Sequence, residues 1–188
     1  MKSILFWQPQ RDYFKAISST PIGHFFIVSS NYAIWVFLFY VSYLLIRSDI
    51  NFFWRLLFAT VISETIEKYL KIKNLWARPF HHRQNQVPNG LLKNWYTNGS
   101  FPSGHAMKAM FFFLFVLGAG MSLSPLSYLL VVGLLLIFRV ITGFHYPVDI
   151  FGGAVFGVVI WFLTSGIVMP PALNAIIQSV FNTVFFIR

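Results

Sequence analysis

FFIVSSNYAIWVFLFYVSYLLI, residues 25–46, runs for 22 positions without a charged side chain. As an α-helix rising about 1.5 Å per residue, it covers the hydrocarbon core of a bilayer, about 30 Å thick. The rest of the chain agrees. Of 188 residues 57% are hydrophobic and 10% charged, and the mean hydropathy is +0.67. Soluble domains are far more polar. The 23 Phe and 6 Trp suit a lipid-facing surface with interfacial aromatic belts, which excludes a disordered or fibrous chain.

Outward from that run, residues 52–70 form a second span whose far end carries Glu64, Glu67 and Lys68, with Arg55 able to snorkel at the near end. Glu64 precedes Lys68, and Glu67 precedes Lys71, in the favourable i, i+4 order. Both plain helix-end ion pairs and the wall of a polar cavity use this pattern. Residues 106–123, 126–143 and 150–169 supply spans three to five, and Gly153 and Gly157 in the last form a small-xxx-small pair suited to close helix packing. Residues 172–187 repeat Asn174, Gln178 and Asn182 at i, i+4, i+8, as either a short sixth span or an interfacial amphipathic helix. The expected architecture is therefore all-α, a polytopic transmembrane bundle of five spans or six. It is expected to be a single membrane domain over residues 1–188, with residues 1–24 as an interfacial arm. Residues 4–7 are only a brief apolar patch with no small-residue cleavage site behind them, so no cleavable leader is expected.

The charge is one-sided: 14 Lys and Arg against 5 Asp and Glu, a formal +9. With no basic soluble domain to carry it, this balance points to membrane lipids and an anionic substrate as partners, not nucleic acid. The sequence sets no oligomeric state. Zero Cys excludes disulfides, thiolate metal sites and a Cys nucleophile. The one substantial hydrophilic segment, residues 71–100, carries Lys71, Lys73, Arg78, His81, His82, Arg83 and Lys93 without an acid, and Pro79, Pro88, Asn89-Gly90 and Asn98-Gly99 mark its turns. Such a loop between spans two and three reads as an anion-binding lip.

With the spans so assigned, three polar clusters fall on one side of the membrane: residues 71–79, 102–105 and 139–149. Ser103 is placed to cap span three and Gly104 to let an anion approach its N-terminal amides. Lys71, Arg78 and Arg139 are cations whose natural partner at a membrane boundary is a phosphoryl group. Pro147 sets the start of span five, so Asp149 in its first turn faces back towards His145. A carboxylate on one imidazole nitrogen leaves the other free to attack phosphorus, and His105 is suited to protonate the leaving oxygen. Each histidine alone is more simply read as a hydrogen-bonded interfacial residue, as are His24, His81 and His82. The three clusters in order carry the catalytic reading.

Lys71-x6-Arg78-Pro79, Pro102-Ser103-Gly104-His105 and Arg139-x5-His145-x3-Asp149 resemble the three-part motif of the type-2 phosphatidate phosphatase superfamily, the lipid phosphate phosphatases related to the vanadium haloperoxidases. The resemblance covers roughly residues 67–157. It implies that Lys71, Arg78, Ser103, Gly104 and Arg139 hold the phosphate, that His145 forms a phosphohistidine, that Asp149 orients it, and that His105 is the general acid. It also implies no metal and no cofactor. Phe138 stands where the family usually has Ser. Undecaprenyl diphosphate and phosphatidylglycerol phosphate are the favoured substrates, with phosphatidate and lipid A phosphates behind them. Phosphotransfer through the same histidine and a non-catalytic anionic lipid carrier stay open beside hydrolysis.

The resemblance places the site on the outer face of a bacterial cytoplasmic membrane. Outside the three presumed phosphate ligands, Lys2, Arg11, Lys15, Lys68, Lys73, Arg83, Lys93 and Lys108 fall on the site's side and Arg47, Arg55 and Arg188 on the other. The positive-inside rule thus points to a cytoplasmic site. Cations around a phosphate site answer to the substrate first, so the extracytoplasmic face is expected.

Overall fold

The computed structural model describes residues 4–9, 13–79, 99–120 and 123–185. The expected loop features at His81, His82, Arg83, Pro88, Asn89-Gly90, Lys93 and Asn98 lie outside the described residues, as do Lys2, Arg11 and Arg188. After a 3-10 turn at Ile4–Phe6 come α1 (Tyr13–Ser18), α2 (Pro21–Ser48), α3 (Asn51–Ile72), α4 (Gly104–Ala119), α5 (Pro125–Ile141), α6 (Pro147–Thr164) and α7 (Pro171–Val184). No strand occurs among the described residues.

The helix ends follow local chemistry. Thr20 caps α2, its hydroxyl accepting from the Gly23 N–H at 3.0 Å, with Pro21 at the first helical position. The helix therefore starts inside the stretch expected to be an interfacial arm. Ser103 caps α4, accepting from the Ala106 N–H at 3.4 Å, and α4 stops where Gly120 turns left-handed at φ 58°. The third span is thereby shorter than the expected run to residue 123.

α4 is the axis of the bundle. Nine of its 16 residues are buried, and it touches α2, α3, α5 and α6. Met107, Phe111, Phe112, Phe115 and Val116 meet Ile34, Leu38, Val41 and Leu45 of α2, Phe52 and Leu56 of α3, Tyr128 of α5 and Ile160 of α6 in one core. α6 lies closest, because Gly153 and Gly157 bring its backbone onto α4: a Cβ at Gly153 would overlap the Ser103 carbonyl, and one at Gly157 the Met107 carbonyl. The outward faces are apolar too, with Val36, Phe39, Leu134, Phe151 and Phe162 exposed. Such a belt suits lipid.

The five-span count is only partly met. Among the described residues α2 and α6 are the helices long and apolar enough to cross a membrane. α4 and α5 are apolar but have 16 and 17 residues. α3 has 22 residues but carries five charges along them. α7, at 14 residues and about 21 Å, is too short to cross. It is tied instead to the end of the bundle where α3 begins: Trp54 Nε1 donates to Asn174 Oδ1 and Asn174 Nδ2 to Asn51 Oδ1, both at 3.0 Å.

Candidate active site

The C-terminal ends of α3 and α5 and the N-terminal ends of α4 and α6 meet at one end of the bundle, and the three polar clusters meet with them. Their junction is a set of backbone contacts. The Ser103 N–H donates to the Asp149 carbonyl at 3.0 Å, and Arg78 Nη1 donates to the Phe144 carbonyl at 3.2 Å. The Phe144 and His145 N–H groups both donate to the Arg139 carbonyl, at 2.9 and 3.3 Å. That turn places His145 directly beyond α5.

Asp149 is fully buried and accepts from two donors. Its Oδ2 takes the Tyr146 N–H at 2.7 Å, which caps α6, and its Oδ1 takes Trp76 Nε1 at 2.9 Å. His145 Nδ1 lies 3.4 Å from Oδ2 but is not aligned for a hydrogen bond. The expected pairing is thus a close approach, because the oxygen nearest the ring is already committed to the helix cap. Trp76, which the sequence did not single out, is the side-chain partner that holds the carboxylate in place. Burial first, then the charges of Arg78, Arg139 and Lys71, hold the His145 imidazole well below its ordinary value near 6.5. At neutral pH the ring is unprotonated.

Arg139 is buried, donates from Nη1 to Asn31 Oδ1 of α2 and stacks over Phe144 at 5.3 Å, while its Nε has no partner. His105 packs edge-on against Trp35 at 5.4 Å, and its Nε2 is buried without a partner. Unsatisfied buried polar atoms are rare, and here three of them, His105 Nε2, Arg139 Nε and His145 Nδ1, sit in one cluster with Lys71 and Arg78. An oxyanion would satisfy them. Asn31 and Trp35 lie inside an apolar helix, where nothing in the spacing marked them.

Glu67 takes a place the sequence reading left open. Its carboxylate pairs with Lys71 and, at 3.1 Å, with Lys108, which also reaches Glu64 at 2.9 Å. The same carboxylate lies so close over Gly104 that a Cβ there would overlap it. The absence of a side chain at Gly104 admits an anion to the start of α4, and in this state the anion is Glu67. Beyond a helix-end pair, Glu67 therefore joins α3 to α4.

A family model for the PAP2 superfamily matches residues 52–170, a stretch that contains every motif residue described above. The chain belongs to the PAP2 superfamily. No curated protein and no solved structure matches it. Members of the PAP2 superfamily are phosphatases, so the chain is a phosphoester hydrolase in general terms. Phe138, at the position of the usual PAP2 serine, packs edge-on against Phe26 at 5.6 Å and supplies no hydroxyl. The nearby Thr142 hydroxyl is spent on the Phe138 carbonyl at 2.7 Å. The N-terminal segment also reaches the PAP2 site: Gln8 Nε2 donates to the His145 carbonyl at 3.1 Å, and Phe6 packs edge-on against Trp76 and Tyr146, each at 5.3 Å.

Proposed function

We propose that the protein dephosphorylates a membrane lipid phosphate or diphosphate at the outer face of a bacterial cytoplasmic membrane, as one integral-membrane domain. Lys71, Arg78 and Arg139, with the Ser103-Gly104 start of α4, hold the phosphoryl oxygens. His145 Nε2 attacks phosphorus, and the lipid alkoxide or lipid phosphate leaves with a proton from His105, which takes that proton up as the phosphate anion enters, since burial and the neighbouring cations hold its ring neutral in the empty site. Water then attacks the phosphohistidine, returning a proton to His105 and releasing phosphate. Asp149 stabilises the charge that develops on the ring, its 3.4 Å approach closing to a hydrogen bond when phosphate binds. Developing negative charge meets fixed cations in a site from which water is largely excluded, where such stabilisation is largest.

The observation that carries this reading is the meeting of two unpartnered buried donors, Arg139 Nε and His105 Nε2, with a neutral His145 beside Asp149. A helix end opening to the headgroup layer suits a substrate whose phosphate lies there while its tail stays in lipid. Undecaprenyl diphosphate and phosphatidylglycerol phosphate are the favoured substrates. The reaction proceeds without a metal, since the cations of the protein do the work of one.

A panel of lipid phosphates and diphosphates in detergent tests the proposal. Wild type is expected to release phosphate at a rate unchanged by EDTA, while His145→Ala and His105→Ala fall by at least about 10². Full activity in His145→Ala sinks the mechanism. Binding without turnover by wild type makes the protein a carrier.

A further inference from the structure

Glu67 raises a difficulty for a phosphate site. Its carboxylate contacts Lys71, one of the proposed phosphate ligands, and covers Gly104, where the α4 amides would meet a phosphoryl oxygen. Two anions cannot share that place without a large Coulombic cost in a site shielded from water. The second arm of the carboxylate offers a way out. Lys108, one turn into α4 and 2% exposed, holds Glu67 Oε2 at 3.1 Å, and its other partner, Glu64, is largely exposed. A burial this deep for a lysine needs a partner. Because the Oε2 that Lys108 holds is also the oxygen over Gly104, clearing that place turns the whole carboxylate away from Gly104 and Lys71, and Lys108 remains within reach as its counter-ion.

We propose that Glu67 is a built-in competitor for the phosphoryl group. In the free enzyme its carboxylate occupies the place over Gly104 and beside Lys71, and it swings off both when a phosphate binds, with Lys108 as its remaining counter-ion. The consequence is selectivity between substrate and product. Every phosphate must displace the carboxylate, but a lipid phosphate is also held by its tail, whereas inorganic phosphate has no other hold. Glu67 thereby weakens retention of the product and frees the site for the next lipid.

This inference rests on the phosphatase reading for its purpose, but its geometry is tested separately by titrating detergent-solubilised full-length protein calorimetrically with inorganic phosphate. Glu67→Gln removes the competing charge and is expected to bind phosphate roughly tenfold more tightly than wild type. Adding Arg139→Gln should abolish the gain, which ties the bound phosphate to this cradle. Glu67→Asp keeps the charge needed to balance Lys71 and Lys108 but shortens the reach to Gly104. It should tighten phosphate by a smaller factor, and it decides the matter if the Gln variant does not fold. Phosphate affinity equal to or weaker than wild type in the folded variants overturns the proposal. If Glu67→Gln tightens phosphate but wild type hydrolyses no lipid phosphate, the competitor stands and the phosphatase reading fails. If wild type hydrolyses and neither variant tightens, the competitor alone is overturned.

Discussion

The nucleophilic role proposed for His145 needs a neutral ring when substrate arrives, and its surroundings favour that form. Burial and three cations penalise its protonated form, with Arg78 the first of the cations. The folded value therefore lies below 6.5, and the sign of the linkage follows. As pH falls through 6.5 the unfolded chain takes up the proton first, so this residue's contribution to stability is lost between 6.5 and the lower folded value. Histidine-labelled protein in detergent, assigned by difference against His145→Ala, should show a His145 ring still unprotonated at pH 6, and Arg78→Gln should move its titration upwards. A wild-type ring that titrates at or above its ordinary value contradicts this account. The three clusters that meet at the candidate site were legible in the sequence because the chemistry proposed for them asks for those residue types in that order and their spacing is local. Trp76, Asn31 and Lys108 were not legible, since each acquires its partner only when two helices distant in sequence meet. The pairing of Asp149 with His145 was legible in spacing but not in alignment, because the cap of α6 claims the same oxygen.

Between residue and molecule stands the seam of α4 and α6, which carries both histidines' supports. Ser103, at the head of α4, bonds the backbone of Asp149 in α6, so the distance between His105 and His145 is set by how closely these helices pack. Gly153 and Gly157 set that distance. A leucine at 157 has no room beside the Met107 carbonyl and Met110, and overpacking of this kind costs about 1–3 kcal/mol. Gly157→Leu should therefore lower the melting temperature in detergent by several degrees and reduce turnover with it. A Cβ at Gly118, exposed near the end of α4, meets nothing, so Gly118→Ala should leave both unchanged. Equal melting temperatures for Gly157→Leu and wild type would show that the seam does not govern the site. The small-xxx-small pattern announced this packing in advance. The helix ends were harder to place, because hydropathy runs on through residue 123 while the backbone turns at Gly120.

At the scale of the whole molecule, the charges of the bundle and its proposed substrate point its site to opposite faces. The described cations at the site's end, Lys15, Lys68, Lys73 and Lys108 beside the proposed phosphate ligands, outnumber Arg47 and Arg55 at the other, and a charge rule alone would turn that end towards the cytoplasm. The structure reduces the weight of that count. Lys108 is buried on Glu64 and Glu67, and Lys71 is paired with Glu67, so neither presents a free charge to the membrane surface. Lys15, Lys68 and Lys73 still outnumber Arg47 and Arg55 among the described residues, so the charge rule keeps pointing to the cytoplasm, and the outer face is proposed on the substrate alone: a lipid carrier or headgroup phosphate processed outside the cell requires the site there. Because the chain contains no Cys, single cysteines report orientation without a background. Lys73 and Ser48 are both exposed and flank the opposite ends of α3, about 33 Å apart along its axis. A membrane-impermeant maleimide on intact cells should label Lys73→Cys and spare Ser48→Cys, with the second labelled only after permeabilisation. The reverse pattern would place the site in the cytoplasm and limit its substrates to phosphates exposed on the inner leaflet.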